Sequence, residues 1–514
     1  MITLPSLAIA AALLAQQPIR PPRAADQSAQ PIIIEQLYQR LRFESDGTGW
    51  RELSVRLVVQ TEAGVQQAGQ LAYGYNSANE SLTVDSVRIH KASGSLVSAS
   101  PEAVQDVTGP IAQQAPVYSD YRQKIVTVPA LRPGDTLEYH VLWTSRPLEA
   151  LGNFWYQYDF TTGVVVRDER VEVDVPRDKY LKVKSAPGTE PQVSETRDRR
   201  IYRWKHATLE PHPEEVARRL RAAMGLGKVE PHSIQLTTFR SWEDIGRWYA
   251  DLERERESPT PPIRSKAAEL VRDRTTRRDS IMAMYDFVAK SYRYVSLSFG
   301  IGRYQPHAAA DVLANQYGDC KDKHTLLASL LSAVGLRAYP ALISSGADID
   351  SDVPAPSQFD HLITAVPEGD SYLWLDTTPE VAPFAFIMLN LRSKRALVIP
   401  AAAPPRLVVT PREPPSPALY EVAVAGQLNS LGTLRATVRH VTRGDAEVLF
   451  RIGFRATPQS QWQKLAEIVA ADEGIEGDVA GVTASDPADT REPFRFEFQV
   501  TRPVTSNGPA GGPV

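Results

Sequence analysis

Tyr317-Gly318-Asp319-Cys320-Lys321-Asp322-Lys323-His324 decides how the rest of this chain is read. It holds the only cysteine among 514 residues, so no internal disulfide can form. Behind it Leu326, Leu327, Leu330, Leu331 and Val334 recur at helical spacing, and Gly335 offers a C-terminal cap. Asp319 is placed to cap the other end, its carboxylate accepting from the free amides of the first turn. The spacing therefore predicts an amphipathic helix opening at Cys320. There the positive end of the helix dipole favours a thiolate, and an unbonded backbone amide is available to an oxyanion. A small buried residue at a helix start would read the same way, so the thiol alone decides nothing.

A thiol nucleophile needs a base, and the base needs an orienting partner. Downstream, Phe359-Asp360-His361-Leu362-Ile363-Thr364-Ala365-Val366 reads as a strand, Pro367-Glu368-Gly369-Asp370 as a turn, and Ser371-Tyr372-Leu373-Trp374-Leu375-Asp376 as a second strand. With a four-residue loop, Val366 faces Ser371 and His361 faces Asp376. Opposed residues share a sheet face with Cβ atoms about 5 Å apart. A one-residue slip would separate the two side chains, so the expectation rests on register. Either residue alone would pass for an ordinary strand residue; the ordered Cys…His…Asp set is the informative pattern. His324, one helical turn after Cys320, is a neighbour of the thiol in this reading and not the base.

The three segments Tyr-Gly-Asp-Cys-Lys-Asp-Lys, Phe-Asp-His and Trp-Leu-Asp-Thr-Thr-Pro resemble the bacterial transglutaminase-like superfamily over roughly residues 240–400. The run Tyr292-Arg293-Tyr294-Val295 to Gly300, with Gln305-Pro306 and Val312-Leu313, is similar to what precedes the cysteine in that family. The resemblance implies a papain-like arrangement, with the cysteine on a helical lobe and histidine and aspartate on a sheet. It implies Cys320 as nucleophile, His361 as general base and acid, and Asp376 as the orienting acid. Besides the Cys320 amide, Gln305 and Tyr317 are candidates for a second oxyanion donor.

Alternating, β-branched and aromatic segments fill residues 30–210: Leu53–Val59, Leu82–Ile89, Ile125–Val128, Thr136–Leu142 and Val171–Val175, with turns such as Pro133-Gly134-Asp135. They predict a β-sandwich. Tyr118-Ser119-Asp120-Tyr121-Arg122 and Val128 to Tyr139 resemble the domain of unknown function family 3857 that often precedes such catalytic domains. No acid pair, metal cluster or phosphate loop is legible there, and a binding or positioning module is expected. The boundary at 207–238 mixes prolines with a basic helical stretch, Val216–Met224. Ser241 is a candidate cap for a helix starting at Trp242, and further helices are expected near 262–273 and 278–291. Ala401 to Pro405 and Pro411 to Pro417 read as a proline-rich linker. Beyond it, 418–502 reads as β with one helix near Gln461–Ala471; Gly432-Thr433-Leu434 and Arg443-Gly444-Asp445-Ala446 resemble the carboxy-terminal β-domain of this architecture. The end, Ser506 to Val514, is Gly/Pro-rich and expected to be disordered.

The expected class is thus multidomain α+β. Residues 1–25 form a signal-peptide-like segment and linker, 30–210 a β-sandwich, 238–400 a transglutaminase-like domain and 415–505 a β-rich domain. Ile2 to Ala15 is apolar but too short for a comfortable membrane span. It resembles a signal-peptide core, although it lacks a basic n-region and a good cleavage motif, and export to the periplasm is expected. A single cysteine suits an oxidising space, where no pair can misbridge. No other segment is long and apolar enough to span a membrane. A net charge of −4 gives no reason to expect nucleic acid. The Asp348-Ile349-Asp350-Ser351-Asp352 run begins like a calcium loop, but Val353 and Phe359 stand where glycine and glutamate are needed. It reads as an acidic surface loop. No metal and no cofactor are expected, since one cysteine and scattered histidines show no zinc spacing. The chemistry expected is acyl transfer through a Cys320 thioester on a peptide or protein amide. Water resolves it in a peptidase, amidase or deamidase, an amine in a transglutaminase; family likeness favours hydrolysis. A non-enzymatic envelope scaffold with a vestigial fold is the alternative, and a plain papain-type protease shares the chemistry.

Overall fold

The computed structural model of the chain describes residues 27, 30–109, 121–145, 152–212, 214, 217, 232–295, 304–346 and 348–503. The apolar run Ile2–Ala15, Tyr118 to Asp120, Gly300, the end Ser506–Val514 and all but residue 217 of the basic stretch 216–224 lie outside these residues.

Alternation builds the amino-terminal unit. In Val165–Pro176, Val171, Val173 and Val175 are buried while Glu172 and Asp174 between them reach the rim. This strand sits inside an eight-stranded sheet. In spatial order its strands are Gln192–Glu195, Arg199–Thr208, Val165–Pro176, Ile32–Phe43, Gly49–Val59, Thr136–Ser145, Glu80–His90 and Leu96–Ser98. Two three-stranded sheets cover it. One joins Gln70–Asn76, Tyr121–Thr127 and Val104–Thr108, sharing a core in which Val55 and Leu57 meet Leu71 and Val126. The other joins Lys182–Ser185, Ile234–Thr237 and Trp155–Tyr158, where Leu41, Val171 and Val173 meet Ile234 and Leu236. Sheets packed face to face in this way make the expected sandwich. A short helix α1 (Glu62–Ala68) is capped by Thr61.

The central unit opens with helices α2 (Trp242–Glu253), α3 (Pro261–Val271), α4 (Arg277–Ser291), α5 (Ala309–Asn315) and α6 (Cys320–Ala333). Ser241 caps α2, its Oγ accepting from the Asp244 amide at 3.1 Å. An antiparallel sheet follows: β1 (Tyr339–Ile343), β2 (His361–Glu368), β3 (Ser371–Leu375), β4 (Arg395–Val398) and β5 (Arg406–Val409), in the order β3-β2-β1-β4-β5. Helix α6 is the axis of this unit. It packs on α3, α4 and α5 on one side and on β2 on the other, and Lys321 through Leu331 are all buried. The sequence pattern is amphipathic, yet from Lys321 to Leu331 the helix has no solvent face. Leu326, Leu327, Leu330 and Leu331 are each fully buried in one cluster with Ile281, Met284, Val288, Val366 and Leu375. Each such side chain contributes roughly 1.5–3 kcal/mol of burial.

Two expectations change in this unit. The hairpin loop is Gly369-Asp370, two residues and not four, with Glu368 paired to Ser371 and Val366 to Leu373. Gly369 has φ +59°, which suits the first position of a two-residue hairpin loop. Pro367 can continue the strand because β1 ends opposite Ala365, so no neighbour on that side awaits its missing N–H. The expected linker at Ala401–Pro405 is instead the turn between β4 and β5, and Leu407 packs on the cluster of Phe239, Ile245 and Tyr249. The second proline cluster, 411–417, leads out of the sheet.

The last unit is a four-stranded sheet with the order Leu419–Leu428, Thr433–Arg443, Phe494–Pro503, Asp478–Ala484. It carries two helices, α7 (Asp445–Ala456) and α8 (Trp462–Asp472), where the sequence reading expected only the second. Within α7, Glu447, Val448, Arg451 and Phe454 are buried, and Arg451 Nη2 donates to Glu447 Oε1 at 2.8 Å. No helix among the described residues is long and apolar enough to cross a membrane.

Candidate active site

The start of α6 is built by its own sequence. Asp319 Oδ1 accepts from the amides of Lys321 at 3.1 Å and Asp322 at 3.2 Å, and Asp322 Oδ2 accepts from the Asp319 amide at 3.4 Å. This is a reciprocal capping box. Asp322 is held in turn by His307, whose amide donates to Oδ1 at 2.8 Å and whose Nδ1 lies 3.0 Å from Oδ2. Gly318 leaves room for the box: a Cβ there would stand 2.6 Å from Asp322 Cβ. Cys320 is thereby fixed at the first helical position, half-buried, where its amide is one of the helix's unbonded donors.

Burial on every side forces the polar residues of α6 to find partners. Lys321 ion-pairs with Asp319; burial alone would lower its pKa, but the Asp319, Asp322 and Cys320 charges raise it. Lys323 donates to the carbonyls of Ala289 at 3.1 Å and Tyr292 at 2.7 Å, and burial lowers its pKa to about 8. Thr325 donates to the Lys321 carbonyl at 2.8 Å.

The imidazole comes from the first residue of β2. Asp360 anchors it by accepting from the Ser345 amide at 2.6 Å and the Ser345 hydroxyl at 2.8 Å, while Phe359 stacks edge-on against Trp242. His361 Nε2 lies 3.2 Å from Asp376 Oδ2, and the ring is near enough to the Cys320 thiol to feel its charge. With Nε2 given to the carboxylate, Nδ1 is the nitrogen left for sulfur. Asp376 Oδ1 accepts from the Thr378 amide at 3.0 Å and hydroxyl at 2.8 Å. The buried Tyr285 hydroxyl donates to the Asp376 carbonyl at 3.0 Å and fixes the backbone behind it.

The electrostatics follow from this packing. Burial alone would lower the His361 pKa, but the Asp376 charge and hydrogen bond, with a smaller contribution from Cys320, raise it well above the usual histidine range. Burial alone would raise Asp376, yet the imidazolium and the Thr378 donors hold it below the usual carboxylate range. The pair is therefore an imidazolium and a carboxylate at neutral pH.

His361 and Asp376 meet although the expected register does not occur. Pairing of Thr364 with Leu375 sets Asp376 nominally opposite Ile363, a shift of two residues. An even shift preserves the face, so His361 and Asp376 become diagonal neighbours instead of opposed ones. His324 points away from the thiol: Nδ1 lies 2.7 Å from Thr364 Oγ1, and Nε2 faces Glu253 and Glu257. Tyr317 lies under the Arg293 guanidinium, 5.6 Å from ring centre to Cζ. Gln305 is half-buried ahead of α5, and none of the described hydrogen bonds ties it to Cys320, His361 or Asp376. The acidic loop is a set of ion pairs, Asp350 with Lys184 and Asp348 with Arg395.

One part of the surroundings was not expected. Cys320 and Trp155 pack against the same cluster, which includes Phe239, Tyr249 and Leu362. Trp155 comes from the amino-terminal unit and contacts Phe239, Trp248 and Tyr304 at centroid distances of 5.8, 5.5 and 5.5 Å. An aromatic wall thus crosses the boundary between the two units beside the thiol. Tyr249, one turn before Glu253, is 1 % exposed and its hydroxyl has no hydrogen-bond partner.

Comparison with known proteins follows the same division. The chain overlays a crystal structure from Parabacteroides distasonis described as a "putative protease", with a TM-score of 0.62 at 12% identity, covering 92% of this chain and 93% of that one. At that identity the likeness is one of fold. A "putative cysteine protease" from Cytophaga hutchinsonii covers 44% of this chain and 74% of its own at 14% identity, but with a TM-score of 0.20. No curated protein matches the chain. Residues 45–213 match the model of a domain of unknown function with solved structure, DUF3857. Residues 264–349 match that of the transglutaminase-like superfamily, so the chain carries a transglutaminase-like domain of papain-like fold behind a DUF3857 domain.

Proposed function

We propose that the protein is a cysteine acyl-transfer enzyme acting on peptide or protein amides, with Cys320 as nucleophile, His361 as general base and acid, and Asp376 as the orienting acid. The observation that carries the reading is the His361 ring paired with the Asp376 carboxylate at 3.2 Å, near enough to the thiol at the tip of α6 for its charge to act on the ring. In this mechanism the Cys320 thiolate attacks the amide carbonyl. The first-turn amide of Cys320 stabilises the oxyanion. The His361 imidazolium then gives its proton to the departing amine, leaving a thioester. Water, deprotonated by the now neutral His361, attacks the thioester and releases the acid and the thiol. An acceptor amine in place of water gives transamidation. We favour water, because the Parabacteroides distasonis protein that shares the fold is described as a putative protease. Action in the cell envelope is part of the proposal and rests on the apolar start of the sequence.

The test is turnover of a peptide library by the full chain, with and without added primary amine. Hydrolysis that falls about 10⁴-fold or more in Cys320→Ala, and products that stay free acids when amine is added, are expected. Activity unchanged by Cys320→Ala would end the reading. Amine-capped products would replace hydrolysis by transfer.

A further inference from the structure

We propose that Glu253, Glu257 and His324 form a binding site for one divalent transition-metal ion of the zinc type, one helical turn along α6 from the Cys320 thiol. Glu253 ends α2, Glu257 lies four residues on in the turn that follows, and His324 projects from α6. His324 Nε2 is 3.4 Å from Glu253 Oε1 and 3.6 Å from Glu257 Oε1, and the three ligand atoms lie within 4.8 Å of one another. Ligand atoms around a tetrahedral ion with bonds of about 2.0–2.1 Å are separated by about 3.3 Å.

The three atoms are also orphans. Every other charged or imidazole side chain in the first two turns of α6 has a hydrogen-bond partner, as described above. Yet Glu253 Oε1, Glu257 Oε1 and His324 Nε2 are buried without one. The His324 side chain is 1 % exposed and that of Glu253 5 %, so water does not satisfy them. The far side of the ring is fixed: Nδ1 lies 2.7 Å from Thr364 Oγ1, and the tautomer in which Nδ1 donates there leaves the Nε2 lone pair aimed at the carboxylates. A metal-bound histidine is held in this way, its second nitrogen donating to an outer partner.

Charge gives the same answer. A divalent ion at this buried point would offset the two carboxylates, with the imidazole supplying a lone pair. The imidazole nitrogen disfavours calcium and magnesium, which take oxygen ligands, and the lack of thiolate at this point disfavours soft ions. Glu257 is 31% exposed, which leaves an entry path and a fourth position on its side. Such an ion would tie the end of α2 to the helix that carries the nucleophile.

The test is titration of the chelator-treated full chain with Zn²⁺, Mn²⁺ and Co²⁺ by calorimetry, alongside thermal unfolding. One equivalent of ion is expected to bind and to raise the unfolding midpoint. Glu257→Gln removes a ligand at a partly exposed position, and Thr364→Val removes only the outer partner; each is expected to weaken binding about 10-fold or more. Cys320→Ala is expected to bind as the native chain does. The proposal is overturned if no ion binds one-to-one, in which case the three groups share a proton. It is equally overturned if Glu257→Gln binds undiminished, or if Cys320→Ala loses binding, which would place the ion on the thiol.

Discussion

Replacing Asp376 by asparagine isolates the charge behind the imidazole. The amide keeps an oxygen where Oδ1 accepts from Thr378, so the local fold survives. What is lost is a buried ion pair at 3.2 Å. Coulomb's law at an effective dielectric of about 20 gives about 5 kcal/mol for unit charges at this separation, and broken buried pairs cost about 3–5 kcal/mol. At about 1.4 kcal/mol per decade, the imidazolium form of His361 loses about 10²- to 10⁴-fold against the neutral ring. In the native chain the Asp376 pKa is lowered and that of His361 raised, so the pair persists across neutral pH. It is lost only as pH falls through the first or rises through the second. Because Cys320 is the only cysteine, the rate of iodoacetamide labelling reports on it alone. Labelling at neutral pH, measured well below the lowered thermal midpoint expected of the variant, should fall about 10²-fold or more in Asp376→Asn. A pH–rate profile that superposes on the native one, in a folded variant, would refute the pair as the source of thiol activation.

Two further outcomes follow from the packing of α6. Lys323 has a folded pKa of about 8 against 10.5 unfolded, so the folded chain binds fewer protons between those values and gains stability as pH rises through them. Unfolding titrations should show wild type gaining about 3 kcal/mol on Lys323→Met between about pH 8 and about pH 10.5; a pH-independent difference would show that Lys323 is not buried as described. Gly318→Ala places a methyl against Asp322, should cost about 1–3 kcal/mol in chemical denaturation, and should slow Cys320 labelling by shifting the first turn of α6. Stability and labelling equal to wild type would show that the capping box tolerates a Cβ.

The start of α6 was legible because cap, glycine and leucine spacing all point to one helix. The hairpin was legible in kind but not in register. Proline beside Glu368-Gly369 reads as a turn, and only the short reach of β1 shows that Pro367 can stay in a strand. His361 and Asp376 still meet, since the error was even. Helix α7 was hidden by its own core: with Glu447 and Arg451 taken as surface residues, Val448, Phe450, Ile452 and Phe454 alternate like a strand. Once the two charges are buried as a pair, the inward positions 447, 448, 451 and 454 have helical spacing. Glu253 and Glu257 were hidden in the same way, inside the charged run Asp251 to Glu257, which looks like a solvated face. Partner groups 67 or more residues away decide which members of such a run turn inward.

Trp155 belongs to a strand that precedes α6 by more than 150 residues, yet it shares a wall with the Cys320 thiol. The central unit, whose Trp248 contacts Trp155, is consequently not independent of the leading module. Grafting it onto a foreign amino-terminal module would leave indole rings bare and remake the recess in which any ligand sits. For the proposed enzyme, one strand of the leading module is therefore a place to alter selectivity without touching Cys320.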